Sequence, residues 1–253
     1  MSPSRVLLAL IIATGAAPAL ESELFLGPEE VVAGVEILSQ HIEDGAIRLD
    51  DVSTRLYGRG RYANVGVQLQ TWIAIGDDDA RRIDSGEFTE ISGRIDYLYE
   101  TDTFQLLPHY IVNGYPAYEN VDEAHWLGAD FWYLLPWEGV EIGTSFDYDI
   151  GDEYGWFASI GARQFLQNAP VDFRSWQILN FGDTDYHQRY TSGADNDGLT
   201  TFELGGEVIV PMPWINGWIT GKVEGHWWLD SKDKDRLEDS AEMVIGFGGQ
   251  FRL

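Results

Sequence analysis

From Asn64 to Ile75, apolar and polar side chains alternate with a period of two. Val65, Val67, Leu69, Ile73 and Ile75 share one face, while Asn64, Gly66, Gln68, Gln70 and Trp72 share the other. Successive side chains of an extended backbone point to opposite sides, so this period predicts a strand with one apolar and one polar face. The pattern returns at 94–100, 104–112, 127–135, 140–150, 156–163, 202–210, 215–229 and 241–253. It is weaker at 31–40, 48–57 and 170–181. Gly, Pro, Asp and Asn separate the runs, and no stretch keeps a helical period. The prediction is an all-β chain of about twelve strands, with ten or eight as alternatives, many of them about 9–12 residues long.

The connections sort by length. Those near 57–63, 100–103, 136–139, 167–170 and 211–214 are brief and rich in turn formers. Those near 41–47, 76–86, 113–121, 182–199 and 230–240 are mostly longer and more charged, and the brief 151–154 is the exception in this set. Alternation of short turns with long loops predicts a transmembrane up-and-down antiparallel β-barrel. Its closing strand is expected at Ala241–Leu253, with Met243, Ile245, Phe247, Phe251 and Leu253 toward lipid and Glu242, Gln250 and Arg252 toward the lumen. Pairing with the first strand would leave no sheet edge. The same strand is the expected contact for the barrel-assembly machinery, although it ends in Leu253 rather than an aromatic residue.

Period two does not say which face looks outward. A soluble lipocalin-like barrel or a β-sandwich would bury the apolar face and expose the charges. The start of the chain bears on this choice. Arg5, the apolar run Val6–Ala13 and the small residues Ala17-Pro18-Ala19 form a secretory signal pattern. The expected organisation is a signal peptide over 1–19, a periplasmic leader over 20–30 and an outer-membrane barrel over 31–253. The apolar run is too short for a spanning helix, which needs roughly 20 residues. A chain of this kind enters a membrane only as a closed barrel. Tyr99, Trp126, Trp132, Tyr133, Trp137, Trp156, Trp214, Trp227 and Trp228 fall near the predicted strand ends, as an aromatic belt at the lipid headgroups requires.

Composition narrows the chemistry. Among 253 residues there is no cysteine, so disulfides, thiolate metal sites and a lipid anchor on cysteine are excluded. The formal net charge of −26 argues against nucleic acid as a partner and favours cations. The expected partners are outer-membrane lipid and small solutes or cations.

Several short segments resemble the TorF-like porins, a group of small outer-membrane proteins. Ser39-Gln40-His41-Ile42-Glu43-Asp44-Gly45 is similar to their first-loop segment, with Asp44 where the group has Arg before Gly. Asn64–Ile75, containing Thr71-Trp72, is similar to their second hairpin. Tyr115-Pro116 with Glu119 and Glu123, and Tyr154-Gly155-Trp156, match further segments. The resemblance implies an outer-membrane barrel with a pore role, and it implies no substrate.

On a barrel reading, the lumen-lining candidates are Arg94, Asp96, Asp130, Glu141, Asp147, Asp149, Arg163, Glu203, Glu207, Lys222, Glu224, Glu242 and Arg252. Their acidic excess would give a pore a mild cation preference. The same charges could instead pair across strands and plug the interior. Two further readings stay open: a closed structural or adhesive barrel whose outer loops bind a partner, and an outer-membrane hydrolase using His41 or His187 with Asp44, Asp185, Ser39 or Ser192. No nucleophile motif supports the hydrolase. Asp77-Asp78-Asp79 and Asp183, Asp185, Asp195 and Asp197 are oxygen-rich, but they lack the spacing of a calcium loop. No pair of histidines has the spacing of a zinc motif. No catalytic, cofactor or metal site is predicted.

Overall fold

A computed structural model describes residues 31–43, 46–77, 83–118, 123–137, 139–151, 155–168, 170–186, 198–229 and 241–253. The expected signal peptide and leader lie outside the described residues, as do His187, Ser192, Asp44, Asp195, Asp197, Asp78 and Asp79.

Twelve antiparallel strands close into a barrel. They are β1 (Val31–Leu38), β2 (Ser53–Tyr62), β3 (Val65–Ala74), β4 (Phe88–Tyr97), β5 (Phe104–Gly114), β6 (Ala124–Leu134), β7 (Val140–Asp149), β8 (Trp156–Asn168), β9 (Val171–Gly182), β10 (Gly198–Met212), β11 (Gly217–Trp228) and β12 (Ala241–Arg252). The seam runs from Val32↔Arg252 to Leu38↔Gly246 between β1 and β12. Every barrel strand pairs with two neighbours, so the barrel has no open edge. A two-residue strand, Tyr99–Glu100, pairs with β5 beside the end of β4. A small separate hairpin, His41–Glu43 with Ala46–Leu49, is inserted between β1 and β2.

The parity of the connections matches the sequence pattern. One end carries the tight turns, such as Ala63-Asn64, where Ala63 takes φ 50° to reverse the chain in two residues. The other end carries the long loops. One strand is displaced from its expected place: the weak run at 48–57 is replaced by Ser53–Tyr62. Ile47 and Leu49 alternate well enough to look like a strand, but the chain spends them on the inserted hairpin, where Leu49 packs on Ala74 and Ile83.

Along β3, Val65, Val67 and Leu69 are exposed, with Leu69 at 64%, while Gly66 and Trp72 are buried. Along β12, Met243, Ile245, Phe247 and Phe251 are exposed and Val244 and Gly246 are buried. The apolar face therefore looks out and the polar face in, the reverse of a soluble barrel.

The aromatic residues expected in the belt divide, with Trp156 half-buried between two groups. Tyr99, Tyr133, Trp137, Trp214 and Trp227 are exposed, consistent with a belt, whereas Trp126, Trp132 and Trp228 are buried inside the barrel. The period explains the error: these three sit on the inward parity of β6 and β11, and nearness to a strand end does not override parity.

Candidate functional site

Much of the interior is buried charge, arranged by a recurring local device. A side chain on one strand reaches a partner two strands away, and the strand between them carries an inward glycine. Arg61 on β2 crosses Gly66 on β3 to meet Asp96 on β4, Nη2 to Oδ1 2.7 Å. His109 on β5 crosses Gly128 on β6 to meet Asp147 on β7, Nε2 to Oδ1 2.6 Å. Lys222 on β11 crosses Gly246 and Gly248 on β12 to reach Glu36 on β1, Nζ to Oε1 3.4 Å. A Cβ at Gly66, Gly128 or Gly246 would strike these side chains at 3.0 Å or less. Trp132 and Trp176 lean in the same way over Gly143 and Gly205.

These contacts sort the predicted residues into three groups. The first joins Glu36, Arg55, Lys222, Glu224, His226 and Glu203, with Arg55 Nη2 at 2.7 Å from Glu36 Oε2. The second joins Arg61, Asp96, Arg94, Asp130, His109 and Asp147, with Arg94 Nη2 at 2.7 Å from Asp130 Oδ2. In the third, Arg163 holds Glu141 at 2.5 Å and stacks over Trp132 at 4.0 Å. Glu207 pairs with Arg174 at 3.2 Å. The remaining three stand apart, at strand ends. Asp149 is buried and accepts the Gly151 amide at 2.8 Å. Glu242 accepts from Gln40 at 3.1 Å. Arg252 is exposed, over the Trp218 ring.

Sequence reasoning missed Glu36, Arg55, Arg59, Arg61, Glu90 and Arg174, all on inward parity. The β2 arginines were hidden by the misplaced strand, and Glu36 and Arg174 lie on weakly patterned runs. The alternation Arg55, Tyr57, Arg59, Arg61 against Leu56, Gly58, Gly60, Tyr62 was the available signal.

The polar face is also not wholly polar. Three apolar clusters span the interior. Leu107, Trp132, Trp176 and Ile178, from β5, β6 and β9, meet across it. Toward the loops, Leu38, Ile42, Trp72, Trp228 and Val244 form a second cluster, and Tyr115, Ala124, Trp126, Phe157 and Tyr186 a third. His41 of the inserted hairpin is buried and stacks on Trp72, ring centroids 3.7 Å apart, with Nε2 4.0 Å from Glu90. Ser39 Oγ accepts the Ile245 amide at 3.0 Å, so His41 and Ser39 are engaged separately rather than as a catalytic pair. Beneath this cover lies a cavity of about 100 Å³, lined by polar residues such as Gln70, Arg94, His109, Asp130 and Glu224 and by apolar ones such as Leu38, Trp72, Ile111, Trp126 and Phe157.

No protein-family model matches the chain, and no curated protein matches it in sequence. Among solved structures, the NanC porin shares the fold at a TM-score of 0.53 and 14% identity, over 89% of this chain and 100% of that one. An outer-membrane channel from Pseudomonas putida F1 does so at 0.50 and 10% identity, over 90% of this chain and 97% of that one. The fold defines the class: a closed β-barrel of the outer-membrane type.

Proposed function

We propose that the protein is a narrow outer-membrane pore for small solutes, with a mild cation preference, whose loop-side end is covered in the conformation described. The observation that carries this reading is an internal cavity of mixed lining, where Arg94, His109, Asp130 and Glu224 border the same space as Trp72 and Phe157, within a barrel whose outer face is apolar. An interior built only for stability has no need to leave open space beside charged groups. The resemblance to the TorF-like porins and the likeness in fold to porins support the same reading. The signal pattern over 1–19 would export the chain, and β12 would present Phe251 and Leu253 to the barrel-assembly machinery.

The cation preference is argued from pairing. Arg55, Arg61, Arg94, Arg163, Arg174 and Lys222 each lie against a carboxylate, so their charge is offset locally. Glu242, half-buried at the loop-side end of β12, adds acid where an entering ion would meet it, and the buried Asp149 adds to the same negative potential.

Purified protein in planar bilayers tests the proposal. Small unitary currents are expected, with a reversal potential displaced toward the cation in a salt gradient. Anion selectivity would remove the charge argument. Silent bilayers from correctly folded protein would favour a closed barrel that binds a partner through its loops, a reading that the three apolar clusters across the interior specifically support.

A further inference from the structure

We propose that Glu203, Glu224 and His226 form a site for one divalent transition-metal ion of the zinc type, held inside the barrel wall. Adjacent strands bring the three together. Glu203 on β10 is in register with His226 on β11, and Glu224 is two residues earlier on β11, on the same inward face. A carboxylate oxygen from each glutamate and a ring nitrogen of His226 all lie within 4.8 Å of one another. All three side chains are almost completely buried.

Charge and hydrogen bonding both point to an ion. Two buried carboxylates that converge repel strongly unless a cation sits with them. Lys222 offsets part of this, with Nζ 3.8 Å from Glu224, but it is shared with Glu36. His226 Nε2 lies 2.6 Å from Glu224 Oε1 and Nδ1 lies 3.8 Å from Glu203 Oε1. Even so, neither ring nitrogen, nor Glu203 Oε2, nor Glu224 Oε2 has a hydrogen-bond partner of good geometry. Buried polar atoms left in this state are costly, and several such atoms around one point are what a bound ion satisfies.

The surroundings are those of a metal site. Asn180 on β9 donates through Nδ2 to Glu203 Oε1 and also to Thr201 Oγ1, which orients the carboxylate from outside. Glu224 also lines the interior cavity, so the site borders internal space rather than closely packed side chains alone. One imidazole with two carboxylates is a mixed donor set that suits Zn²⁺ and its neighbours, whereas Ca²⁺ and Mg²⁺ favour oxygen alone. Sequence spacing could not show the site, because its residues come from two strands and the nearer pair, Glu224 and His226, is an ordinary one-face repeat.

The site does not require the barrel to conduct, and its test is independent of conductance. Folded protein in detergent, stripped of metal with a chelator, is titrated with Co²⁺ followed by visible absorption, and then with Zn²⁺. One equivalent of Co²⁺ should bind with the intensified visible bands of a low-symmetry N/O site, and Zn²⁺ should displace it. His226→Ala should abolish the bands, and Asn180→Ala should weaken affinity by about tenfold or more. Heat-modifiable mobility on gels reports whether each variant is folded, and Glu203→Gln serves as the ligand variant if His226→Ala does not fold. Absence of stoichiometric binding by the folded parent would overturn the proposal. So would binding at parental affinity by a folded variant lacking His226 or the Glu203 carboxylate, which would place the ion on surface acids.

Discussion

The glycine-bridged ion pairs yield a sharp prediction at Gly66. Arg61 passes over this residue to Asp96, and both side chains are nearly fully buried. In Gly66→Ala the new Cβ would lie 2.5 and 2.6 Å from the two Asp96 carboxylate oxygens and 2.8 Å from Arg61 Nη2. One partner must move, and Asp96 is further confined by Arg94, whose Nε is 3.9 Å from Oδ2. Removing one partner of a buried pair costs about 3–5 kcal/mol. Displacement preserves part of the interaction, and alanine regains roughly 0.5–1 kcal/mol over glycine in a strand. The net loss should be on the order of 1–2 kcal/mol. Urea unfolding of the barrel in lipid vesicles, followed by tryptophan fluorescence, measures it. Gly58→Ala is the control: its Cβ would meet nothing closer than the Val32 carbonyl oxygen at 4.0 Å, so stability should hold or rise by roughly 0.5–1 kcal/mol. Two results would refute the reasoning. One is a Gly66→Ala protein as stable as the parent. The other is an undiminished cost in an Arg61→Gln, Asp96→Asn background, where no ion pair is left to break.

Three further predictions concern the two faces and the interior. Leu69→Arg, at an exposed mid-strand position on β3, should cost about 2–4 kcal/mol in the same vesicle assay if that face meets hydrocarbon; a neutral effect would argue for a soluble barrel. Gln70→Lys adds a positive charge to the cavity lining, so the reversal potential in a salt gradient should move toward the anion, and an unchanged value would mean the current bypasses this cavity. Trp72→Ala removes the ring on which His41 stacks, at a stability cost of about 3–5 kcal/mol. Folded protein should then show larger unitary currents, and parental currents would show that this cluster is not the cover.

The strands with strict alternation were legible because a barrel wall imposes period two wherever one face meets lipid and the other meets charge. The segment around β2 was not: an inserted hairpin with its own alternation precedes it, and Gly58 and Gly60 interrupt its outward face between Leu56 and Tyr62. Trp126, Trp132 and Trp228 were assigned to headgroups because composition near a strand end suggests a belt. Their parity, shared with Gly128 and Asp130 on β6 and with Glu224 and His226 on β11, carried the correct information.

The sequence by itself determined the architecture: an even number of antiparallel strands, short turns alternating with long loops, and a last strand fit to close the sheet. Those properties are local, set by side-chain period and turn chemistry. Tertiary structure alone decided what fills the interior. Arg61 meets Asp96 across the intervening β3, and Lys222 meets Glu36 across the seam between β12 and β1 that only barrel closure creates. Whether inward charges face water, face each other or converge on an ion depends on which inward positions are glycine and which side chains can cross them. That is a property of three strands at once, and no period along one strand encodes it.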